Sequence, residues 1–387
     1  MKLLVVTPRF PYPLEKGDKL RAFHQLRSLS RHHEVVLVAL AEAPVPADFV
    51  ARLAEFCSGV HVITRSRRTM VWSLARAALT GEPLQVGYFR SRSAEEQVRR
   101  LVAVERPDHV YCQLIRTAPY GRDLPVPTTL DYQDAFSAAA RRQADTSAMW
   151  LAPFLRLEAR RIARYEQRVQ DWFDHQVIIS EQDRDLLGFP GAEHVEVVAN
   201  GVDTEFFVPI EPPGDPCDIS FVGNMGYPPN IDAAETLVTR ILPLVREHRP
   251  DTTVLLAGAR PSRSVQRLAG DGVEVSGWVD DIRSGYASGR IMVAPLAIGA
   301  GQQNKILEAM SMGVPCVTTE LVNRAIGAVP GEQILIGSTP QELAAHAVAL
   351  LGDPELHQRL SREGRSFVAG RYSWSAVGER LAEVFAS

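Results

Sequence analysis

Lys305 and Glu308 stand three residues apart in Gly299-Ala300-Gly301-Gln302-Gln303-Asn304-Lys305-Ile306-Leu307-Glu308-Ala309-Met310, a stretch that joins a glycine turn to an amphipathic helix and stops at Gly313-Val314-Pro315. Glycine lets a backbone approach a bound group closely, and the unpaired N–H groups of a helix N-terminus favour an anion, phosphate above all. Lys305 adds a point charge to that end. One turn on, the Glu308 carboxylate is an acceptor suited to a sugar diol while Lys305 meets a diphosphate. The plainer alternative is a surface helix carrying an i, i+3 ion pair. Composition weighs against it, because of 42 Lys and Arg residues only Lys2, Lys16, Lys19 and Lys305 are Lys. In a chain that prefers Arg, Lys19 after Gly17-Asp18 and Lys305 beside Glu308 mark places where a compact ammonium serves better than a planar fork.

Other residues leave two readings each. Asp131 ends and Asp134 follows a predicted strand at 128–131, and they either orient an acceptor hydroxyl or the transferred sugar, or cap a strand-end turn. His24, seven residues after Gly17, either reaches the same site or packs its helix. Residues 65–76 mix Arg with Met70, Trp72 and Leu74. With Trp150 and the Arg-rich stretch 156–168, they suit an anionic lipid surface, or else a solvated helix face whose Trp turns inward.

The elements that must position these groups follow from length and periodicity. A chain of 387 residues exceeds what one hydrophobic core usually supports, so two domains are expected. Its 45% hydrophobic and 23% charged content is that of a soluble globular protein. Short runs rich in Val, Ile and Leu at 3–7, 34–39, 60–63, 109–113, 128–131 and 176–180 alternate with helical patterns, including 18–32 and 150–172. The alternation restarts at 218–222, 253–257, 273–276, 291–294, 315–318 and 333–336, after a Pro- and Gly-rich linker that ends at Pro216. Two consecutive doubly wound α/β domains with parallel sheets are therefore expected, 1–200 and 201–370, with 371–387 as a helix crossing back. In such sheets ligands bind outside the carboxyl ends of strands, in a cleft here expected between the domains.

Charge narrows the partners. Residues 1–200 hold 27 Lys/Arg against 24 Asp/Glu, and residues 201–387 hold 15 against 22. No basic stripe with interleaved aromatics appears, which argues against nucleic acid. Cys57, Cys112, Cys217 and Cys316 lack metal-ligand spacing and read as reduced core thiols of a cytoplasmic protein. The apolar run at 3–7 is too short for a signal peptide or a membrane span.

Asn200-Gly201-Val202-Asp203, Phe221-Val222-Gly223-Asn224, Gly277-Trp278-Val279-Asp280-Asp281, the Lys305 to Met310 helix with Gly313-Val314-Pro315, and Tyr372-Ser373-Trp374 share one order and spacing. In these motifs the whole chain resembles the retaining family 4 glycosyltransferases of the GT-B fold. Pro11-Tyr12-Pro13, Gly17-Asp18-Lys19-Leu20-Arg21-Ala22-Phe23-His24 and Gln303-Asn304-Lys305 resemble most closely the subgroup associated with bacterial exopolysaccharide and exosortase systems. The resemblance implies transfer of a sugar, with retention, from a nucleoside-diphosphate donor held by the second domain to an acceptor on the first.

It places the ribose hydroxyls on Glu308 and the base near Trp278 and Val279. The diphosphate and donor sugar fall to Gly301, Gln302, Gln303, Asn304 and Lys305, with Gly223, Asn224 and the Gly17 amides also on the donor. Lys19, His24 and Asp131 fall on the acceptor side, and Asp134 and Lys305 are the catalytic candidates. Positioning and stabilisation of a diphosphate leaving group are the main demands of such a step. No metal or resident cofactor is expected, only a UDP- or GDP-linked sugar as co-substrate. The acceptor would be a lipid-linked saccharide, a glycan or a small metabolite, with peripheral contact to the inner face of the membrane as an option. Two departures stand out: Ala300 replaces the family's first Glu, and Asn224 and Pro229 replace basic residues. They leave the diphosphate charge to Lys305 with Arg9 or Lys19. A nucleotide-sugar 2-epimerase and a non-catalytic nucleotide-sugar-binding homologue are the alternatives.

Overall fold

The computed structural model describes residues 1–298 and 302–386. Among them, thirteen strands form two all-parallel sheets. The chain divides into two compact units, one made of Met1–Ala199 with Val377–Ser387 and the other of Asn200–Ala376.

The first unit carries β1 (Lys2–Thr7), β2 (Glu34–Ala41), β3 (Gly59–Thr64), β4 (His109–Gln113), β5 (Thr128–Gln133), β6 (His175–Ile178) and β7 (Glu196–Val197), in the order β3-β2-β1-β4-β5-β6-β7. Leu3, Leu4, Val5 and Val6 of β1 are all buried, as are residues 35–41 of β2. Such unbroken apolar runs mark strands covered on both faces, as parallel crossover sheets are. Leu3 aligns with Val35 on one side and His109 on the other, so β1 is central and the strand order reverses between β1 and β4. The last helix, Trp374–Ala386, brings the Phe385 ring against His109 and Tyr111 at 4.7 and 5.6 Å.

Beneath this sheet the helix Ala152–Gln170 buries Glu166 completely. Its Oε1 accepts the Ser137 N–H at 3.1 Å, while Oε2 has no hydrogen-bond partner. Burial pushes this carboxyl up to about 7. A carboxyl whose pKa is raised on folding favours the native state at acid pH, and that contribution is lost as pH rises through the folded value. Glu166→Gln should therefore unfold at a higher temperature than the parent at pH 8, with the gap closing near pH 5. Thermal melts across that range test it, and a gap independent of pH would contradict it.

The second unit carries β8 (Cys217–Val222), β9 (Val254–Ala257), β10 (Val273–Gly277), β11 (Gly289–Ala294), β12 (Cys316–Thr318) and β13 (Leu335–Ile336), in the order β10-β9-β8-β11-β12-β13. Here the order reverses between β8 and β11, and the loops after β8, β9 and β10 all open at their carboxyl ends. The four cysteines form no disulfide. Burial pushes the Cys57 and Cys112 thiols up to about 12, which leaves them unreactive.

Candidate functional site

A cavity of about 640 Å³ lies wholly within the second unit, at the carboxyl ends of β8, β9 and β10. Gly223 and Asn224 after β8, Gly258 and Ala259 after β9, and Trp278 and Val279 after β10 line it together with Lys305 and Glu308. Two strand ends meet closely here. The Gly258 backbone has φ +138°, and a Cβ at that position would fall 1.8 Å from the Gly223 carbonyl oxygen. Only glycine fits. Gly223 N–H donates to the Ala257 carbonyl at 2.9 Å and Gly258 N–H to Gly277 at 3.0 Å, which sets the three loops side by side.

The helix Asn304–Ser311 supplies the charged pair. Its apolar stripe, Ile306, Leu307, Ala309 and Met310, is buried, which turns Lys305 and Glu308 toward the cavity. Gly313, at φ +75°, ends the helix; its N–H bonds the Met310 carbonyl and Val314 N–H bonds that of Ala309, closing the left-handed cap.

Lys305 Nζ donates to Asn230 Oδ1 at 2.5 Å and lies 5.6 Å from the centre of the Phe221 ring. Asn230 is itself buried and donates through Nδ2 to the Asn224 carbonyl at 2.9 Å. Burial lowers the Lys305 ammonium to about 8, against the opposing pull of Glu308. Across the cavity the buried Tyr286 hydroxyl donates to Glu308 Oε2 at 2.5 Å. Burial raises the Glu308 carboxyl, while Tyr286 and Lys305 act in the other direction. Desolvated charges of opposite sign on one cavity wall can hold a ligand that carries both an anionic part and a diol.

The rim is aromatic and acidic. Trp278 is largely exposed and its indole N–H donates to Asp280 at 3.2 Å. The Arg283 guanidinium pairs with Asp281 at 2.7 Å and lies 4.2 Å over the Phe206 ring, which holds two lining residues together.

Of the residues that the sequence singled out, Gly223, Asn224, Trp278, Val279, Lys305 and Glu308 come together in this cavity. The Asn224 side-chain oxygen is used locally, accepting the Gly226 N–H at 3.0 Å, and its carbonyl accepts from the Asn230 amide. Gln302, Gln303 and Asn304 do not line the cavity. Gln302 clamps the Asn200 backbone through both ends of its amide, at 2.9 and 2.7 Å. Gln303 is the N-cap residue and Asn304 the first residue of the helix. Gly301, with Gly299 and Ala300, lies outside the described residues.

Gly17, Lys19, His24, Asp131 and Asp134 belong to the first unit. Gly17 opens the helix Gly17–Leu29 with its N-terminus exposed, and Lys19 is half-buried in the first turn. Asp131 sits in a buried polar cluster. It is fully buried, with Oδ2 2.8 Å from Arg21 Nε and 2.5 Å from the Tyr111 hydroxyl, and Oδ1 accepting the Gln133 N–H. Arg21 in turn donates to the Val198 and Ala199 carbonyls, so the pair ties β5 to the residues just after β7. His24 is buried with its ring edge-on to Phe23 and packs its helix. Asp134 remains half-buried, and burial together with Asp183 and Asp131 pushes its carboxyl up to about 6.

The residues that sequence reasoning missed are Asn230, Gly258 and Tyr286. A glycine directly after the apolar run ending at Ala257 was a legible signal for Gly258. No local pattern marks the other two.

Residues 216–353 match the family model described as Glycosyl transferases group 1. Over 97% of both chains the protein is 22% identical to an uncharacterized 44.6 kDa protein in the cps region of Klebsiella pneumoniae. It is 26% identical to a GDP-mannose-dependent monoacylated alpha-(1-6)-phosphatidylinositol monomannoside mannosyltransferase of Corynebacterium glutamicum, over 51% of this chain and 57% of that one. Among solved structures, Anabaena HepE in complex with UDP and glucose matches with a TM-score of 0.65 at 15% identity, covering 100% of both chains. The fold is therefore GT-B, two Rossmann-like units, and the family match lies on the unit that holds the cavity. Together these matches support a glycosyltransferase.

Proposed function

We propose that this protein transfers a sugar from a UDP- or GDP-linked donor to an acceptor hydroxyl with retention of anomeric configuration. The observation that carries the reading is the Lys305–Glu308 pair on one wall of a cavity at the reversal point of a doubly wound sheet. Glu308 holds the ribose hydroxyls, Lys305 neutralises the diphosphate as it leaves, and the Trp278–Val279 backbone borders the base. The ammonium acts where charge develops, and desolvation strengthens it. Retention comes from the motif resemblance and the acceptor role of Asp134 from its place directly after β5 of the first unit, and no metal or resident cofactor enters the proposal.

A thermal-shift panel of UDP, GDP, ADP and dTDP sugars tests the donor. A ligand bound only by the folded state stabilises it by about 2.7 kcal/mol at a hundredfold excess over Kd. One nucleotide should raise the melting temperature, and incubation with candidate acceptors should then give a glycoside with the donor's anomeric configuration by NMR. An absence of any shift would overturn the donor site. Nucleoside diphosphate released with only an epimerised free sugar would favour the 2-epimerase.

A further inference from the structure

The alternative in which Trp72 turns inward is not what the fold does. Trp72 is 78% exposed and Leu79 89% exposed on the helix Arg67–Thr80, which instead buries Met70 and Ala77. Arg68, Trp72, Ala75 and Leu79 recur at helical spacing and are all exposed, so they form one outward stripe, with Val71 beside it. A second exposed apolar set opens the helix Ala152–Gln170: Met149, Trp150, Phe154 and Leu157. The two sets are neighbours. Arg161 Nη2 donates to the Ala78 carbonyl at 3.3 Å, and Leu84 N–H donates to Glu158, so Leu79 and Leu157 lie on adjoining surface.

Charge selects the occupant. Residues 65–80 contain four Arg and no Asp or Glu, and residues 149–170 contain five Arg and two Glu. Of those two carboxylates Glu166 is fully buried and Glu158 is taken by the Leu84 N–H and by Arg161 at 3.9 Å, while Arg160 and Arg164 are exposed. Arg76 is paired with Glu82 at 2.8 Å. Farther along the second helix, Arg164 joins Arg141 and Arg142 around a cavity of about 580 Å³, with Asp185 on its wall. A second copy of the chain docked face to face would set arginine against arginine. An anionic bilayer answers both halves of the surface, taking indoles and Leu side chains at the headgroup level and guanidinium groups on lipid phosphates.

We infer that this face of the first unit, centred on Trp72, Leu79, Trp150 and Phe154 and bordered by Arg68, Arg160 and Arg164, docks on an anionic membrane surface. The contact is peripheral: among the described residues no helix is long and apolar enough to cross a membrane. Its failure would leave the proposed chemistry of the second unit intact.

Vesicle co-sedimentation of the full chain tests it, with phosphatidylcholine alone against phosphatidylcholine containing about 30% phosphatidylglycerol. Binding is expected to the anionic vesicles, weakening as salt shortens the screening length. Trp72→Glu/Trp150→Glu should weaken it by about tenfold or more, because carboxylates replace interfacial anchors. The melting temperature and nucleotide response of the variant should match the parent, which separates lost docking from lost folding. No binding to the anionic vesicles, or equal binding by parent and variant, overturns the inference. Self-association by light scattering that the same double substitution abolishes would overturn it in favour of a second copy as occupant.

Discussion

Lys305→Met should lower kcat/KM for sugar transfer by about 10²- to 10³-fold, the usual cost of removing one preorganised group aimed at developing negative charge. Lys305→Arg should not restore it. The ammonium occupies a slot between Asn230 Oδ1 and the Phe221 ring, and Gly223 is hemmed in by the same groups: a Cβ there would come within 2.9 Å of Asn230 Nδ2 and 3.6 Å of Lys305 Cε. A planar guanidinium has a different shape and donor geometry from the compact ammonium that this slot holds. The pH profile gives a second readout. Burial holds the free-protein ammonium at about 8, so kcat/KM should fall as pH rises through that value. A bound diphosphate favours the charged form, so the corresponding limb of kcat should lie higher. Stability moves the opposite way. Between about 8 and the ordinary lysine value of 10.5 the unfolded chain binds more protons than the folded one, so the parent gains stability across that window. Lys305→Met should melt above the parent at pH 7, with the gap narrowing toward pH 10. Full activity in Lys305→Met would remove this residue from the chemistry.

That pair was legible because a rare Lys and a Glu one turn apart follow a glycine turn at a helix start, a local pattern that needs no knowledge of the fold. The sheets were legible for the same reason. His109–Gln113 is the strand that the apolar run outlines, and the other long runs differ from their strands by a few residues at the ends. Where an apolar run extends past its strand, a side chain is engaged elsewhere. The run at 176–180 ends as a strand at Ile178, because Ser180 caps the next helix by accepting the Asp183 N–H. The two-residue β7, Glu196–Val197, lies in the apolar stretch Val195-Glu196-Val197-Val198-Ala199, which was not read as a strand. The burial of Asp131 was not legible, because its partner Arg21 lies 110 positions away and nothing near either residue announces a buried pair. Asn230 and Tyr286 were invisible for a related reason. Each is defined by what β8 and the helix Asn304–Ser311 bring to it, and only tertiary packing does that.

Glu308→Gln should abolish the nucleotide-dependent rise in melting temperature at ligand concentrations that saturate the parent. A carboxylate accepts from both ribose hydroxyls, whereas an amide presents one acceptor and one donor. Hydrogen bonds to a charged group contribute about 1.5–3 kcal/mol, so loss of one and weakening of the other corresponds to roughly 10²-fold in affinity. The Gln form is the informative one, because the Tyr286 hydroxyl donates to Glu308 Oε2 at 2.5 Å and the amide oxygen keeps an acceptor for it. Glu308→Ala would orphan that buried hydroxyl at a cost of about 1–3 kcal/mol and confuse binding with stability. Pairing the substitution with deoxynucleotides assigns the contact. The parent should bind 2′-deoxy or 3′-deoxy nucleoside diphosphate far more weakly than the ribonucleotide, and Glu308→Gln should scarcely distinguish them, since the partner that reads the missing hydroxyl is already gone. Equal discrimination by both proteins would place the ribose elsewhere in the cavity and leave Glu308 as the group that fixes Tyr286 and counterbalances Lys305.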